Sequence, residues 1–306
     1  MRQESFKTFD NSRIRLYFWD DVEEPAGIVQ IAHGMAEHAL RYEDFARFLN
    51  RQNLIAAADD HRAFGRSAAL EDNGVYDGDI FADTLRDLLD IKSYLQQKWP
   101  GLPCFFLGHS YGSFLGQAFI QEAGQTMQAA VLMGSDLKDR AVYGLAAKML
   151  SPFISLLGYE RPARLLDRLI FGGYDRLFSE GEGAWLSRDR EEVEHYLQDP
   201  YCGQVASLGF YRSFLNFPRL YQEEKLRQIP ENLPLLLTAG CDDPVNGGKG
   251  KAAGMQALYD FYHKLGLKNL SLKLYPGARH EILHEINRQE VYRDLADFFG
   301  GVIYAQ

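Results

Sequence analysis

The stretch Leu107-Gly108-His109-Ser110-Tyr111-Gly112-Ser113 constrains the fold more than any other part of the chain, because it sets a serine between two glycines directly after an apolar run. The run before it, Pro103-Cys104-Phe105-Phe106-Leu107, reads as a buried strand, and Phe114-Leu115-Gly116-Gln117-Ala118-Phe119-Ile120 reads as a helix. Ser110 then falls on the sharp turn between them, in a Gly-x-Ser-x-Gly nucleophile elbow. Such a turn strains the serine backbone, and a side chain at Gly108 or Gly112 would collide with neighbouring backbone.

A serine hydroxyl is a poor nucleophile at neutral pH, so this reading requires a base and a group to orient the base. Both are available downstream. Pro234-Leu235-Leu236-Leu237-Thr238-Ala239-Gly240 is an apolar strand running into Cys241-Asp242-Asp243-Pro244-Val245, and Leu270-Ser271-Leu272-Lys273-Leu274-Tyr275 runs into Pro276-Gly277-Ala278-Arg279-His280. Serine, acid, histidine is the chain order of α/β-hydrolases. His280 would take the Ser110 proton during attack on a carbonyl carbon and return it to the leaving group. Asp243, at the end of a Gly-x-x-Asp pattern, would fix the tautomer of His280; Asp242 is its rival, with a helix cap or loop hydrogen bond as its other use. A tetrahedral intermediate also needs donors. These would be the N–H of Tyr111, after the nucleophile, and that of Met35, in the His33-Gly34-Met35-Ala36-Glu37-His38 turn after the strand Gly27 to Ala32.

At this point the chain resembles a known group. His-Gly-x-x-Glu-His at 33 to 38 with Arg41-Tyr42, the loop Asp60-His61-Arg62-Ala63-Phe64-Gly65-Arg66-Ser67, the Ser110 elbow, Asp243-Pro244-Val245 and Tyr275-Pro276-Gly277-Ala278-Arg279-His280 look like the monoacylglycerol lipase and lysophospholipase branch of α/β-hydrolases. The resemblance implies a cofactor-free serine esterase acting on single-chain acyl lipids, with Ser110, Asp243 and His280 as triad and Met35 and Tyr111 as oxyanion donors. It also implies that Glu37 and Arg41 could reach a polar head group; a salt bridge at a helix start is the alternative. Two departures stand out. Ala63 replaces a glycine of the family pattern, and Leu283 occupies the place of a second histidine that helps hold glycerol, with His284, a candidate substrate contact, one residue further on.

Two other motifs compete. His280-Glu281-Ile282-Leu283-His284 matches His-Glu-x-x-His, a zinc pattern when both imidazoles share a helix face. It begins three residues after the Pro276-Gly277 turn and has little chain left to supply a third ligand, so no metal is assigned. Asn246-Gly247-Gly248-Lys249-Gly250-Lys251 looks like a phosphate loop but lacks the full Gly-x-x-x-x-Gly-Lys-Ser/Thr form.

The alternation of strands and helices predicts an α/β-hydrolase core, a mostly parallel sheet flanked by helices, formed by residues 1–135 and 226–306. A hairpin from Ser5 to Phe9 and Ile14 to Phe18 opens it, and residues 136–225 read as an inserted helical cap. In the cap, Val142 to Leu157 is too apolar for a helix with one exposed face, which suits either the wall of an acyl-chain tunnel with transient lipid-surface contact or packing within the cap. Glu180, Glu182, Glu191, Glu192 and Glu194 could hold a substrate amine, as in a proline-iminopeptidase-like aminopeptidase, but read better as a solvated face. An acyltransferase, and a ligand receptor built on an inactive hydrolase, are further alternatives on the same fold. With a net charge of -9 the chain does not suit a nucleic-acid partner, and Cys104, Cys202 and Cys241 form no disulfide framework. No signal-peptide pattern or membrane-length run is apparent, so the expected location is cytoplasmic and the expected partner a small acyl ester or lipid.

Overall fold

The computed structural model describes residues 1–137, 140–247 and 252–304. Gly248, Lys249, Gly250 and Lys251, the lysine-bearing part of the glycine loop, lie outside the described residues. Eight strands form one sheet: β1 (Arg2–Lys7), β2 (Arg13–Trp19), β3 (Gly27–Ala32), β4 (Leu54–Asp60), β5 (Cys104–His109), β6 (Ala129–Met133), β7 (Leu235–Gly240) and β8 (Leu270–Tyr275). They lie in the order β1-β2-β4-β3-β5-β6-β7-β8. The hairpin β1-β2 and the pair β2-β4 are antiparallel, and the remaining pairings are parallel.

Helices α1 (Glu43–Asn50), α2 (Ile80–Lys98) and α3 (Tyr111–Ala123) connect the first parallel strands, and α9 (Ala253–Leu265) and α10 (Arg288–Tyr304) follow β7 and β8. Between β6 and β7 the chain runs through α4 (Arg140–Leu157), α5 (Arg164–Ile170), α6 (Arg190–Gln198), α7 (Leu208–Asn216) and the single turn α8 (Glu223–Leu226). Parallel strands covered on both faces must be apolar throughout, and alternate side chains must enter different cores. Phe106, Ala130, Leu132, Leu235 and Leu237 accordingly join one cluster, while Phe105, Leu107, Ala129, Val131 and Leu236 join the other.

Two local expectations are corrected. The first strand stops at Lys7 rather than reaching Phe9, because Thr8 Oγ1 donates to Asp10 Oδ1 at 2.6 Å and Asn11 turns back at φ 67° with its N–H on the Thr8 carbonyl. Phe9 is left exposed, with the Arg62 guanidinium 4.9 Å from its ring centre. Helix α4 does have an exposed face, and that face is apolar. Ala147, Leu150 and Ile154 are buried on the side that meets α7, whereas Val142, Leu145, Met149, Phe153 and Leu156 point to solvent. The helix is apolar on both faces, and α7 packs on the face of Ala147, Leu150 and Ile154.

Aromatic packing seats this helical segment on the sheet's helices. Phe81 of α2 stacks on Phe217 at 4.7 Å and meets the Tyr111 ring edge-on at 4.7 Å, and Phe114 of α3 lies 5.1 Å from Phe217. Each such pair is worth about 0.5–1.5 kcal/mol beyond the area it buries. Among the described residues no helix is long and apolar enough to cross a membrane.

Candidate active site

β5 delivers Ser110 to the turn before α3 at φ 51° and ψ −114°, a left-handed backbone that an L-residue adopts at a cost of about 1–3 kcal/mol. Neighbouring groups hold it there. Its N–H donates to the Met133 carbonyl at 2.9 Å, and its own carbonyl accepts from the N–H groups of Ser113 (2.9 Å) and Phe114 (3.0 Å) and from Ser113 Oγ (2.6 Å). The flanking glycines are required by space: a Cβ on Gly108 would sit 2.3 Å from the Gly112 carbonyl oxygen, and one on Gly112 would sit 2.1 Å from that of Ala32.

The loops after β7 and β8 bring the other two groups to the same end of the sheet, where ligands bind in open parallel sheets. Ser110 Oγ lies 2.9 Å from His280 Nε2, and His280 Nδ1 lies 2.9 Å from Asp243 Oδ2. A carboxylate only accepts, so Nδ1 carries the proton and Nε2 is free to receive one from Ser110. Asp243, rather than its neighbour Asp242, is the carboxylate paired with the histidine; it is fully buried and also accepts from the N–H of Val245 (2.8 Å) and from Asn246 Nδ2 (3.0 Å). Burial works against a charged His280, yet the adjacent Asp243 carboxylate outweighs it and the pKa stands above the ordinary histidine value. Trp185, from the helical segment, packs its ring 5.2 Å from that of His280, and its carbonyl accepts the His280 N–H at 3.2 Å.

Met35 and Tyr111 line the cavity beside Ser110. Tyr111 is the first residue of α3, so its N–H has no intrahelical acceptor. The Gly34–Met35 peptide is fixed through its carbonyl. His33 Nδ1 donates to the Gly34 carbonyl at 2.7 Å, and in a trans peptide this turns the Met35 N–H away from the His33 ring. His33 Nε2 accepts from the His61 N–H at 2.9 Å, a pattern that needs a neutral ring; burial and the stacked His61 keep the His33 pKa well below its ordinary value.

Glu37, Arg41 and His284 fall in different places. Glu37 lines the cavity, but its Oε1 accepts from the Gly34 N–H (2.6 Å) and Tyr42 Oη (2.9 Å) and lies 3.1 Å from His109 Nδ1. Its Oε2 accepts from Arg41 at 2.7 Å. Arg41 does not line the cavity; its fork also grips Glu281 at 2.6 and 2.7 Å. Burial alone would raise both carboxyl pKa values, but the guanidinium between them holds Glu37 well below the usual range and Glu281 below it. His284 turns away, with Nδ1 3.2 Å from Glu192 Oε2. The two histidines of the His-Glu-x-x-His stretch thus engage different partners, and Ile282–His284 forms only a short 3-10 turn.

The reading from sequence missed Glu281, His109 and Trp185. Glu281 had a visible signal, its place next to His280, but no sequence cue pointed to its partner 240 residues upstream. Among the described residues one cluster has ligand types and spacing for a metal ion: His38, Asp199 and Cys202, with ligand atoms all within 4.8 Å and His38 already paired with Asp199 at 2.9 Å.

The cavity above Ser110 measures about 370 Å³. Its walls are mostly apolar: Phe114 from α3, Val245 from the loop after β7, and Tyr143, Ile170, Phe171, Tyr174, Leu197, Phe214 and Leu215 from the helical segment. Besides Glu37 and Glu281, three carboxylates of the helical segment, Asp167, Asp175 and Glu182, also reach it. Burial raises the pKa of Asp167, whose Oδ1 accepts from Tyr211 Oη at 3.1 Å, and that of Asp175. Of the other glutamates in the helical segment, Glu180 pairs with Arg279 and Glu192 with His284 and Arg288.

A serine on a strained elbow, hydrogen-bonded to a histidine and through it to an aspartate, can attack an acyl carbon. A family model, Hydrolase_4, described as serine aminopeptidase, S33, matches residues 23–287. The chain belongs to this family. The hydrolase has the α/β-hydrolase fold and falls in the branch that resembles monoglyceride lipases. It is 28% identical to the monoglyceride lipase of Homo sapiens over 275 residues, covering 88% of this chain and 79% of that one. It is 28% identical over 298 residues to a monoacylglycerol lipase of Mycolicibacterium smegmatis, covering 97% and 96%. In three dimensions it is similar to a thermostable carboxyl esterase from Bacillus coagulans solved in complex with glycerol, with a TM-score of 0.86, 25% identity and coverage of 99% and 98%.

Proposed function

We propose that this hydrolase cleaves carboxylic esters of single-chain acyl lipids through an acyl-enzyme on Ser110. The observation that carries the reading is the unbroken hydrogen-bond chain Asp243–His280–Ser110 at the base of a largely apolar cavity. His280 removes the Ser110 proton as the oxygen attacks the ester carbonyl, Asp243 stabilises the resulting imidazolium, and the N–H groups of Met35 and Tyr111 receive the oxyanion. His280 then protonates the departing alcohol, and water resolves the acyl-enzyme by the same steps in reverse roles. Residues 136–225 act as a cap whose aromatic and aliphatic inner wall accepts the acyl chain. The outer stripe of α4, with Leu145, Met149 and Leu156, together with Leu165 and Leu169 of α5, meets the lipid aggregate from which substrate is drawn.

A second reading has one observation in its favour. Asp167, Asp175 and Glu182 in the cavity could hold the amine of a peptide substrate, as an aminopeptidase of this family would require. The discriminating measurement is the initial rate over one panel of monoacylglycerols, lysophospholipids, short soluble esters and aminoacyl anilides, with Ser110→Ala as blank. Preference for long single-chain esters is the expected result. Preference for anilides would transfer the assignment to a peptidase, and activity on short esters alone would remove the lipid specificity.

A further inference from the structure

We infer that Arg41 is a positioning residue that ties the loop carrying the oxyanion donor to the loop carrying the catalytic histidine, holding the two in register across Ser110. The inference rests on the triad and oxyanion assignments proposed above.

The connection is short and continuous. The Gly34 N–H donates to Glu37 at 2.6 Å, Arg41 donates to Glu37 at 2.7 Å and to both oxygens of Glu281 at 2.6 and 2.7 Å, and Glu281 follows His280 in the chain. Gly34 opens the peptide whose N–H belongs to Met35, so one guanidinium spans the distance from the proposed oxyanion donor to the proposed base. These loops are 240 residues apart in sequence and leave different strands, β3 and β8. Nothing covalent sets their spacing.

Stability alone does not explain an arginine here. Burying a guanidinium with two carboxylates carries a desolvation penalty, and apolar side chains of similar volume often do as well. What arginine supplies is geometry: a planar fork that fixes Glu281 through two parallel bonds and leaves a further donor for Glu37. Its flat face is covered as well, since the Tyr196 ring lies 4.8 Å away and Tyr196 Oη donates to the Ala36 carbonyl in the same loop at 3.1 Å. With its fork on carboxylates, its face on a ring and no share of the cavity lining, Arg41 is placed to hold protein parts rather than a substrate head group.

The same arrangement makes two opposite electrical contributions to His280. The ionisable groups facing that ring are Asp243 beyond β7, Glu281 on its own loop, Glu37 and Arg41 beyond β3, and His109, whose Nε2 lies 3.3 Å from the His280 carbonyl. From the helical segment the uncharged ring of Trp185 packs on the His280 ring, and Asp175 and Glu182 share its cavity. Glu281 and Glu37 favour the imidazolium, and Arg41, ion-paired with both, carries the opposite charge.

The test uses Arg41→Met, Arg41→Lys and Glu281→Gln in the full chain, assayed with a short soluble ester across pH and checked by thermal melting, with Ser110→Ala in the same series. A displacement of reacting groups by about an ångström costs up to about 100-fold, so kcat of Arg41→Met should fall about 10- to 100-fold, with KM changed less than about threefold and partial recovery in Arg41→Lys. The acid limb of kcat/KM should move to higher pH in Arg41→Met, where two carboxylates lose their counter-charge, and to lower pH in Glu281→Gln, where one carboxylate is gone. Loosened packing would not split the two in opposite directions. Wild-type kcat in these variants, a rise in KM alone, or limbs that move together would overturn the inference. If Arg41→Met does not fold, the inference stands on a reduced kcat with an unmoved acid limb in Arg41→Lys, which keeps the charge but not the fork, and a limb moved to lower pH in Glu281→Gln; wild-type kcat in Arg41→Lys or an unmoved limb in Glu281→Gln would overturn it. Activity surviving in Ser110→Ala removes the triad reading itself, whereas a dead Ser110→Ala beside a fully active Arg41→Met removes only the role of Arg41.

Discussion

The floor and the roof of the cavity are built on opposite principles. The floor comes from strand ends and is made of buried polar groups whose hydrogen bonds are internal: Asp243 has two protein donors besides His280, and Glu37 has Gly34, Tyr42 and Arg41. The roof comes from the helices between β6 and β7; inside it is mostly apolar, with Asp167, Asp175 and Glu182 as its charged exceptions, and outside it exposes apolar side chains along α4 and at Leu165 and Leu169 of α5. A floor of that kind fixes atoms to fractions of an ångström, which a reaction requires. A roof of that kind has little directional bonding, so it selects by shape and by what it rests on. On the proposed function, chemistry and substrate choice thus fall to separate stretches of chain.

The largest effects should follow from breaking the floor. Ser110→Ala and His280→Ala are each expected to lose about four to six powers of ten in kcat, with the double variant little worse than either, because the groups work as a unit. Single-turnover rates on a soluble ester provide the check. Losses that multiply in the double variant would show that the two act independently and would end the distinction drawn for the floor.

The roof should answer differently. Replacing Leu145, Met149 and Leu156 together by glutamate removes the apolar stripe from α4, and each such side chain contributes roughly 1.5–3 kcal/mol when fully buried in an apolar phase. Partial insertion of three should make turnover of micelle- or vesicle-borne monoacylglycerol about tenfold slower while leaving a short soluble ester at the wild-type rate. Equal losses on both substrates would mean that the outer stripe supports the fold of the segment rather than its contact with lipid.

The same division decides what was legible in the sequence. The elbow could be read because its constraint is local: an apolar strand, two glycines at the positions where a Cβ would strike backbone, and a helix directly after. Asp243 and His280 could be read because each follows an apolar strand in a fixed chain order. The link from Arg41 to Glu281 could not, since it depends on which loops the sheet order sets side by side, and the cue at hand, Glu37 and Arg41 at helical spacing, shows only half of it. In the helical segment the pattern of Val142 to Leu157 gave apolarity without direction. Apolar residues on every face leave open which of them line a cavity, so Tyr143 inward and Met149 outward were indistinguishable. Asp167 and Asp175 were invisible for the converse reason, as single carboxylates in polar stretches whose inward turn only the tertiary fold determines.

The smallest effect concerns strain within the floor. Ser110 and Ala63 both hold left-handed backbone, at φ 51° and φ 61°, and both lie near Tyr111, Ala63 through the neighbouring Phe64 ring 6.2 Å from that of Tyr111. At Ser110 the strain aims the proposed nucleophile. At Ala63, where the family pattern has glycine, a methyl group has no comparable task, and the left-handed conformation costs about 1–2 kcal/mol. Ala63→Gly would release that cost but also free the unfolded chain, which returns about 0.5–1 kcal/mol of it. The net expectation is a gain below about 1 kcal/mol, seen as a rise of about 1–3 °C in Tm, with kcat and KM unchanged. A fall in Tm would mean that the Ala63 methyl packs well enough to outweigh its backbone. A change in kcat would mean that this loop, like the elbow, holds its strain in the service of the site, and the floor would then have no part that is only structural.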